Sequence, residues 1–118
     1  MKLKIYHNPR CSKSRESVNF LEEKNLDFEI IEYLKTPPTS TELQKVLTQL
    51  NLDAVQLIRK NETIYKEKYK GKVLSEQEWV EAMVEYPKLI ERPIVIYGNK
   101  AVIGRPLEQV KQLLLLSK

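Results

Sequence analysis

The stretch that decides the fold class lies near the start of the chain, where residues 2–24 read KLKIYHNPRCSKSRESVNFLEEK. Leu3 and Ile5 alternate with polar residues, a pattern typical of a strand. Asn8 precedes Pro9, which disfavours helix at the asparagine and so predicts a loop after the strand. The elements predicted from this region are a strand over 2–6, a loop over 7–11, a helix over 12–24 and a second strand over 28–33. A strand, a helix and a strand of these lengths predict a parallel βαβ unit.

The rest of the chain predicts several helices, then a β-hairpin and one more helix. Two Ser/Thr residues are followed by a glutamate three positions later, the spacing of the capping box that begins many helices. These pairs are Thr39 with Glu42 and Ser75 with Glu78. The predicted elements are a helix from Thr39 to Leu50, a shorter one from Asp53 to Ile58, mixed helix and loop over 60–72, a helix from Ser75 that ends before Pro87, strands over 94–97 and 101–103 with a turn at Gly98-Asn99, and a last helix that includes Leu107, Val110, Leu113 and Leu114.

The order of these elements is βαβ, then a helical stretch, then ββα. Without the middle helices, βαβ–ββα is the thioredoxin arrangement. We therefore predict an α/β protein with a thioredoxin-like fold and a helical insertion between its two halves. The length of 118 residues is typical of one domain. We expect a single domain over 1–118, with the insertion over about 39–86.

Charge, cysteine content and apolar run lengths argue against a nucleic-acid-binding, a secreted or a membrane protein. The net charge is +4, from 20 Lys and Arg against 16 Asp and Glu that are mostly interspersed. A nucleic-acid binder concentrates its basic residues on one face, so we expect no direct nucleic-acid partner. A single cysteine cannot form an internal disulfide, and no apolar run is as long as a signal peptide or a membrane span requires. We expect a soluble cytoplasmic protein that does not bind membranes.

The single cysteine, Cys11, lies where the first strand ends and the first helix begins. A helix N-terminus carries partial positive charge and unpaired N–H groups, both of which stabilise a thiolate. The thiolate is the nucleophilic form, so this position predicts a reactive cysteine with a pKa below the free value of about 8.5. His7, Arg10, Lys13 and Arg15 add positive charge or hydrogen-bond donors nearby. The alternative is that Cys11 is a small buried hydrophobic residue.

The same loop is suited to bind an anion, since exposed N–H groups and cations favour tetrahedral oxyanions. Ser14 occupies the position of the second cysteine in a Cys-x-x-Cys pair, so any catalytic cycle of Cys11 needs an external thiol. Arg59, Arg92 and Arg105 could bind an oxyanion in bidentate fashion. The alternative is that these arginines lie at the surface and pair with acidic residues.

Cofactor motifs are missing from the sequence. The chain has only 3 glycines and no Gly-rich phosphate loop. It has no HExxH motif and no cluster of Cys and His. We expect no bound metal and no bound cofactor.

Five segments, in order along almost the whole chain, resemble the landmarks of the arsenate reductase family, in its ArsC branch. The first is Ile5-Tyr6-His7-Asn8-Pro9-Arg10-Cys11-Ser12-Lys13-Ser14-Arg15, and the others are Tyr33-Leu34-Lys35-Thr36-Pro37-Pro38, Leu57-Ile58-Arg59-Lys60-Asn61, Pro87-Lys88-Leu89-Ile90-Glu91-Arg92-Pro93-Ile94-Val95 and Gly104-Arg105-Pro106. The resemblance implies reduction of arsenate to arsenite, with glutathione as co-substrate and glutaredoxin as partner.

The resemblance also implies roles for individual residues. Cys11 would attack arsenate and form a thiol–arsenate adduct, glutathione would attack that adduct, and glutaredoxin would reduce the resulting mixed disulfide. The implied supporting residues are His7 to lower the Cys11 pKa, Arg59, Arg92 and Arg105 to bind the oxyanion, Asn8, Ser12 and Ser14 in the active-site loop, and Pro93 as a cis-proline. Arg15, whose positive charge lies nearby in the chain, is a second candidate for lowering the Cys11 pKa.

Two other functions compete with this one. Spx regulators, a sister branch with the same fold, bind RNA polymerase and typically use a Cys-x-x-Cys switch. Ser14 in place of the second cysteine argues against that switch, and the set of three arginines argues for the enzyme. The other alternative is a monothiol oxidoreductase that acts on glutathione mixed disulfides without arsenate.

Overall fold

The computed structural model of the chain describes residues 2–116, with only the backbone of Leu116. Residues 1, 117 and 118 of the predicted 1–118 domain lie outside this range. The elements are β1 (Leu3–Tyr6), α1 (Ser12–Glu23), β2 (Glu29–Ile31), α2 (Ser40–Leu50), a 3-10 helix (Ala54–Leu57), α3 (Thr63–Lys68), α4 (Glu76–Glu85), a second 3-10 helix (Pro87–Leu89), β3 (Ile94–Tyr97), β4 (Lys100–Ile103) and α5 (Glu108–Leu116). The chain divides into two compact units, residues 1–36 with 92–118 and residues 37–91.

The first unit contains a four-stranded sheet in the order β2-β1-β3-β4. β1 pairs with β2 in parallel and with β3 in antiparallel orientation, and β3 and β4 form the predicted hairpin. The connection from β1 to β2 passes through α1, which makes this half a βαβ unit. The α/β class and the thioredoxin-like arrangement are confirmed.

The core of the first unit combines one face of each helix with the central strands. Its buried members are Leu3, Ile5, Val18, Leu21, Val95, Val110 and Leu113. On α1, Ser14, Ser17, Val18 and Leu21 are the buried residues, and their spacing of three and four places them on one face. This packing holds the first turn of α1 at the end of β1.

β2 is shorter than the predicted strand over 28–33. It ends at Ile31, because the amides of Lys35 and Thr36 both donate to the carbonyl of Glu32, which turns the chain away from the sheet. Tyr33, predicted as a strand residue, is instead buried in this turn at 1% exposure. A local turn therefore overrides the β propensity of the last predicted residues.

The second unit contains helices and one isolated bridge. Thr39 and Ser75 cap α2 and α4 as predicted, each with both hydrogen bonds of a capping box. The shorter helix predicted from Asp53 to Ile58 is a 3-10 helix over Ala54–Leu57, and Ile58 forms an antiparallel bridge to Ile90. The buried side chains of its two longest helices are Leu43, Val46 and Leu47 on α2 and Trp79, Val80, Ala82 and Met83 on α4.

The helices from α2 to α4 fall within the predicted insertion, whereas the second 3-10 helix, Pro87–Leu89, lies just beyond its predicted end. That the whole chain forms a single domain, with residues 39–86 inserted, stays a prediction. Within residues 2–116, no helix combines the length and the hydrophobicity needed to cross a membrane.

Candidate active site

Cys11 is the N-cap residue of α1, directly after the loop that follows β1. Its backbone is extended, with φ −93° and ψ 123°. Its amide donates to the carbonyl of Asn8 at 3.0 Å, and its own carbonyl accepts the first helical hydrogen bond from Arg15 at 3.0 Å. The side chain is buried, with 8% exposure. The sulfur therefore lies at the start of the helix, where the first N–H groups have no helical acceptor.

A guanidinium group contacts the sulfur directly. Nη2 of Arg105 lies 3.1 Å from Sγ of Cys11. Nε of Arg105 donates to the carbonyl of Arg92 at 2.6 Å, which orients the guanidinium toward the sulfur. The side chain of Arg92 also hydrogen-bonds to Cys11.

These contacts decide the protonation of the thiol. Burial, the largest single influence, raises the pKa of Cys11. Four favourable influences together outweigh burial and hold the pKa of Cys11 below its ordinary value: the backbone N–H of Ser14, the side chain of Arg92, the backbone N–H of Lys13 and the charge of Arg105. The direction agrees with the sequence prediction, because donors at the helix start stabilise the charged form.

The loop before Cys11 is held by a hydroxyl group. Oγ of Ser14 accepts a hydrogen bond from the amide of Asn8 at 3.0 Å and lies 2.9 Å from Nδ1 of His7. Oδ1 of Asn8 in turn accepts from the amide of Arg10 at 3.0 Å. His7, Asn8 and Ser14 are all buried. The hydroxyl joins the end of β1 to the first turn of α1.

His7 and Arg15 have other partners than the sulfur. Burial lowers the pKa of His7, the charge of Glu32 raises it by less, and the charge of Arg15 lowers it further. Nη1 of Arg15 donates to the carbonyl of Pro9 at 2.9 Å. Neither residue is among the main influences on the Cys11 pKa. Their predicted tuning role therefore stays a prediction, and their contacts here support the loop.

Two Arg–Pro bonds border the site, and both are cis: Arg92–Pro93 and Arg105–Pro106. The sequence analysis anticipated only the first. The amide of Gly104 donates to the carbonyl of Pro93 at 2.8 Å. This hydrogen bond joins the segment before β3 to the segment after β4. Arg92, which precedes Pro93, and Arg105, which follows Gly104, therefore lie near the same sulfur.

The sequence profile of the ArsC family matches residues 6–113, a range that includes both segments of the site. The chain belongs to the ArsC family. It is 47% identical over 113 residues to the uncharacterized protein YfgD of Escherichia coli K12, covering 94% of this chain and 95% of that protein. It is 44% identical to the arsenate reductase of Haemophilus influenzae, covering 97% of this chain and all of the relative. Among solved structures, the arsenate reductase from Vibrio cholerae superposes with a TM-score of 0.90 and 46% identity, covering 95% of this chain and 97% of that one.

Arg59 of this ArsC-family chain lies in the second unit, where it pairs with carboxylates. Its Nη1 lies 3.2 Å from Glu91 Oε1, and its Nε lies 3.6 Å from Glu62 Oε1. Its side chain is only 11% exposed. The alternative left open by the sequence was a surface arginine paired with acidic residues. The acidic partners are found, but the Arg59 side chain is largely buried rather than at the surface. A role of Arg59 in oxyanion binding stays a prediction.

The remaining loop residue, Ser12, is the first residue of α1 and is exposed. The backbone amides of Lys13 and Ser14 are the N–H groups expected at the start of the helix, although no side-chain pattern identifies them by residue. The role of Gly104 was not predicted, since the sequence showed only that it directly precedes Arg105 in a chain with 3 glycines. No group of His, Cys, Asp and Glu within residues 2–116 could hold a metal ion.

Proposed function

We propose that this ArsC-family protein reduces arsenate to arsenite, with Cys11 as the nucleophile and an external thiol as the reductant. The observation that carries the proposal is the 3.1 Å contact between Arg105 Nη2 and Cys11 Sγ at the start of α1. At the start of α1, the Cys11 nucleophile lies beside the guanidinium groups of Arg92 and Arg105, which are suited to bind an oxyanion. The similar proteins from Haemophilus influenzae and Vibrio cholerae are arsenate reductases, which supports the same substrate.

The first step of the proposed reaction forms a bond between Cys11 and arsenic. The thiolate attacks arsenate, an S–As bond forms, and one arsenate oxygen leaves as water after protonation. Arg105 and Arg92 change partners in this step, from the thiolate to the oxygens of the adduct. Guanidinium groups are suited to this because their donors form paired hydrogen bonds to tetrahedral oxyanions.

The next steps transfer two electrons. A glutathione thiolate attacks the Cys11 sulfur, the S–As bond breaks, and its electron pair goes to arsenic, which leaves as arsenite. The product is a mixed disulfide of Cys11 and glutathione. A second thiol, supplied by glutaredoxin, attacks this disulfide and releases the Cys11 thiolate. In total, arsenate and two thiols give arsenite, one disulfide and water.

An external reductant follows from the cysteine content. Cys11 is the only cysteine of the chain, so no internal thiol can resolve the mixed disulfide. Glutathione with glutaredoxin is the pair implied by the resemblance to the ArsC branch. The location expected for such a reaction is the cytoplasm, where thiols are kept reduced.

The test is arsenate-dependent NADPH consumption by the purified protein with glutathione, glutaredoxin and glutathione reductase. We expect turnover by the wild type and none by Cys11→Ser. Arg105→Ala should lower turnover by about 10²-fold, the usual effect of removing one transition-state donor. Arg10→Ala, which removes an exposed arginine of the same loop, is the matched control and should turn over at the wild-type rate.

Two results would reject arsenate as the substrate. One is a wild type as inactive as Cys11→Ser while Cys11 still reacts with a thiol reagent. The other is turnover of glutathione mixed disulfides by a wild type that shows no arsenate-dependent NADPH consumption. The second result would favour the monothiol oxidoreductase.

A further inference from the structure

A cleft of about 550 Å³ lies in the first unit between the end of α1 and α5. Its walls include Phe20 and Lys24 from the end of α1, together with Lys111 and Leu115 from α5. The volume is within the range of small-molecule sites. Phe20 follows Cys11 by nine residues, a distance of about 13 Å along a helix axis. The cleft and the thiol therefore lie at opposite ends of α1.

Two lysines converge on one aromatic ring of this cleft. Nζ of Lys24 lies 5.7 Å from the centroid of the Phe20 ring, and Nζ of Lys111 lies 5.6 Å from the same centroid. Both distances are typical of cation–π contacts. No carboxylate of residues 2–116 forms an ion pair with either lysine. Two positive charges beside one ring attract an anion to this cleft.

The rest of the cleft presents apolar side chains to solvent. Leu26 is 37% exposed and Leu115 is 65% exposed, although both are large hydrophobic residues. Tyr97 is partly buried and packs against the core of the first unit. Apolar side chains that are exposed together mark an interaction surface, because covering them lowers the free energy. A ligand that complements this cleft therefore needs both an anionic head and an apolar body.

We propose that this cleft binds a small amphipathic carboxylate, with its head paired to Lys24 and Lys111 and its apolar body along Leu26 and Leu115. Charge complementarity favours this ligand over a neutral one, because an uncharged molecule would cover the leucines but leave the two ammonium groups without a counter-ion. A short anion such as acetate would reach the lysines but leave the leucines in water. The shared chemistry is found in aliphatic and aromatic carboxylates.

The test is isothermal titration calorimetry of the full chain with octanoate, below its micelle concentration. We expect one octanoate per chain, bound about tenfold more tightly than either acetate or 1-octanol. 3-Phenylpropanoate, titrated in parallel, distinguishes the two sources of the shared chemistry, since tighter binding of one identifies the preferred body. Amide shifts in NMR spectra should be largest at Phe20, Leu26 and Lys111.

Matched variants locate the site without disturbing the core. Lys24→Gln combined with Lys111→Gln should weaken octanoate binding about tenfold, because both charge pairs are lost. Lys45→Gln combined with Lys66→Gln removes the same net charge from exposed positions of the second unit and should bind like the wild type. Cys11→Ser should also bind octanoate normally, so this result is independent of the proposed reductase activity.

Three results would overturn the proposal. One is equal affinity for octanoate, acetate and 1-octanol. Another is an equal loss of affinity in both lysine pairs, which would indicate attraction by net charge alone. The third is sedimentation as a dimer that Lys24→Gln with Lys111→Gln dissociates while octanoate does not bind, since this would assign the cleft to contact between two copies.

Discussion

Single residues determine the state of the thiol, since Cys11 is subject to two opposed influences. Burial favours the neutral thiol, whereas two backbone N–H groups and two arginines favour the thiolate. Hydrogen bonds to a charged group contribute about 1.5–3 kcal/mol each, which explains how a few donors overcome burial. Among the side chains, Arg105 places its Nη2 at 3.1 Å from Sγ of Cys11.

The first prediction concerns this arginine. Arg105→Ala should raise the pKa of Cys11, because it removes a positive charge and a donor while burial still favours the thiol. Titration of the ultraviolet absorbance of the thiolate measures the change. Arg10→Ala is the control, and an unchanged pKa in both variants would contradict a role of Arg105 in stabilising the thiolate.

The second prediction concerns the hydroxyl that supports the loop. Ser14→Ala should lower the free energy of unfolding by about 1–3 kcal/mol, since the buried amide of Asn8 and Nδ1 of His7 lose their partner. Urea denaturation measures this change. Ser12→Ala is the matched control at an exposed position and should change stability by no more than about 0.5 kcal/mol. Equal effects of the two substitutions would reject the proposed support.

Between elements, the decisive feature is a close approach at Gly104, which lies between β4 and α5. A Cβ at this position would lie 2.8 Å from Ser17 Oγ, 2.9 Å from Pro93 Cγ and 3.2 Å from Val110 Cγ2. These atoms belong to α1, to the segment before β3 and to α5. Only glycine lets these elements approach this closely, and their approach holds Arg105 near Cys11.

The third prediction tests this packing. Gly104→Ala should lower the free energy of unfolding by about 1–3 kcal/mol, because the added methyl group has no space. Ser17→Ala should be nearly neutral, since its buried hydroxyl has no hydrogen-bond partner within residues 2–116. Thermal or urea denaturation of both variants measures the two effects.

The double variant provides the control for this pair. Removal of the Ser17 hydroxyl takes away the atom nearest to the added methyl group, so Gly104→Ala should cost less in the Ser17→Ala background. Costs that add without coupling would show that the two residues do not meet as described.

For the whole molecule, the lowered pKa of Cys11 links folding to pH. A thiol whose folded pKa is lower than its unfolded value releases its proton more readily in the folded state. Its contribution to stability is complete above the unfolded pKa, about 8.5 for a free cysteine. The contribution is lost as the pH falls through the folded pKa.

The fourth prediction follows from this sign. The difference in free energy of unfolding between the wild type and Cys11→Ser should rise as the pH increases toward the free-cysteine pKa of about 8.5 and level off above it. Urea denaturation at a series of pH values measures the difference, and the other titrating groups cancel because both proteins contain them. A difference that does not change with pH would show that folding leaves the Cys11 pKa unaltered.

The sequence by itself determined the features that depend on near neighbours in the chain. The spacing of apolar residues along the chain predicted α1, α2 and α4. The capping boxes at Thr39 and Ser75 predicted where α2 and α4 begin. The position of Cys11 at a helix start follows from the Asn8-Pro9 loop and the helical pattern after it. These signals are reliable because helix periodicity and capping depend on residues only three or four positions apart.

Only the tertiary structure decided which distant groups meet. Arg105 reaches the sulfur from 94 positions away in the chain, and Arg59 pairs with Glu91 across 32 positions. No local spacing distinguishes these two arginines, since either could bind an anion or pair with an acid. Their different partners depend on the packing of segments that lie far apart in the chain, such as the close approach at Gly104. The cleft beside Phe20 has the same origin, because it depends on how α1 and α5 pack rather than on how each helix forms.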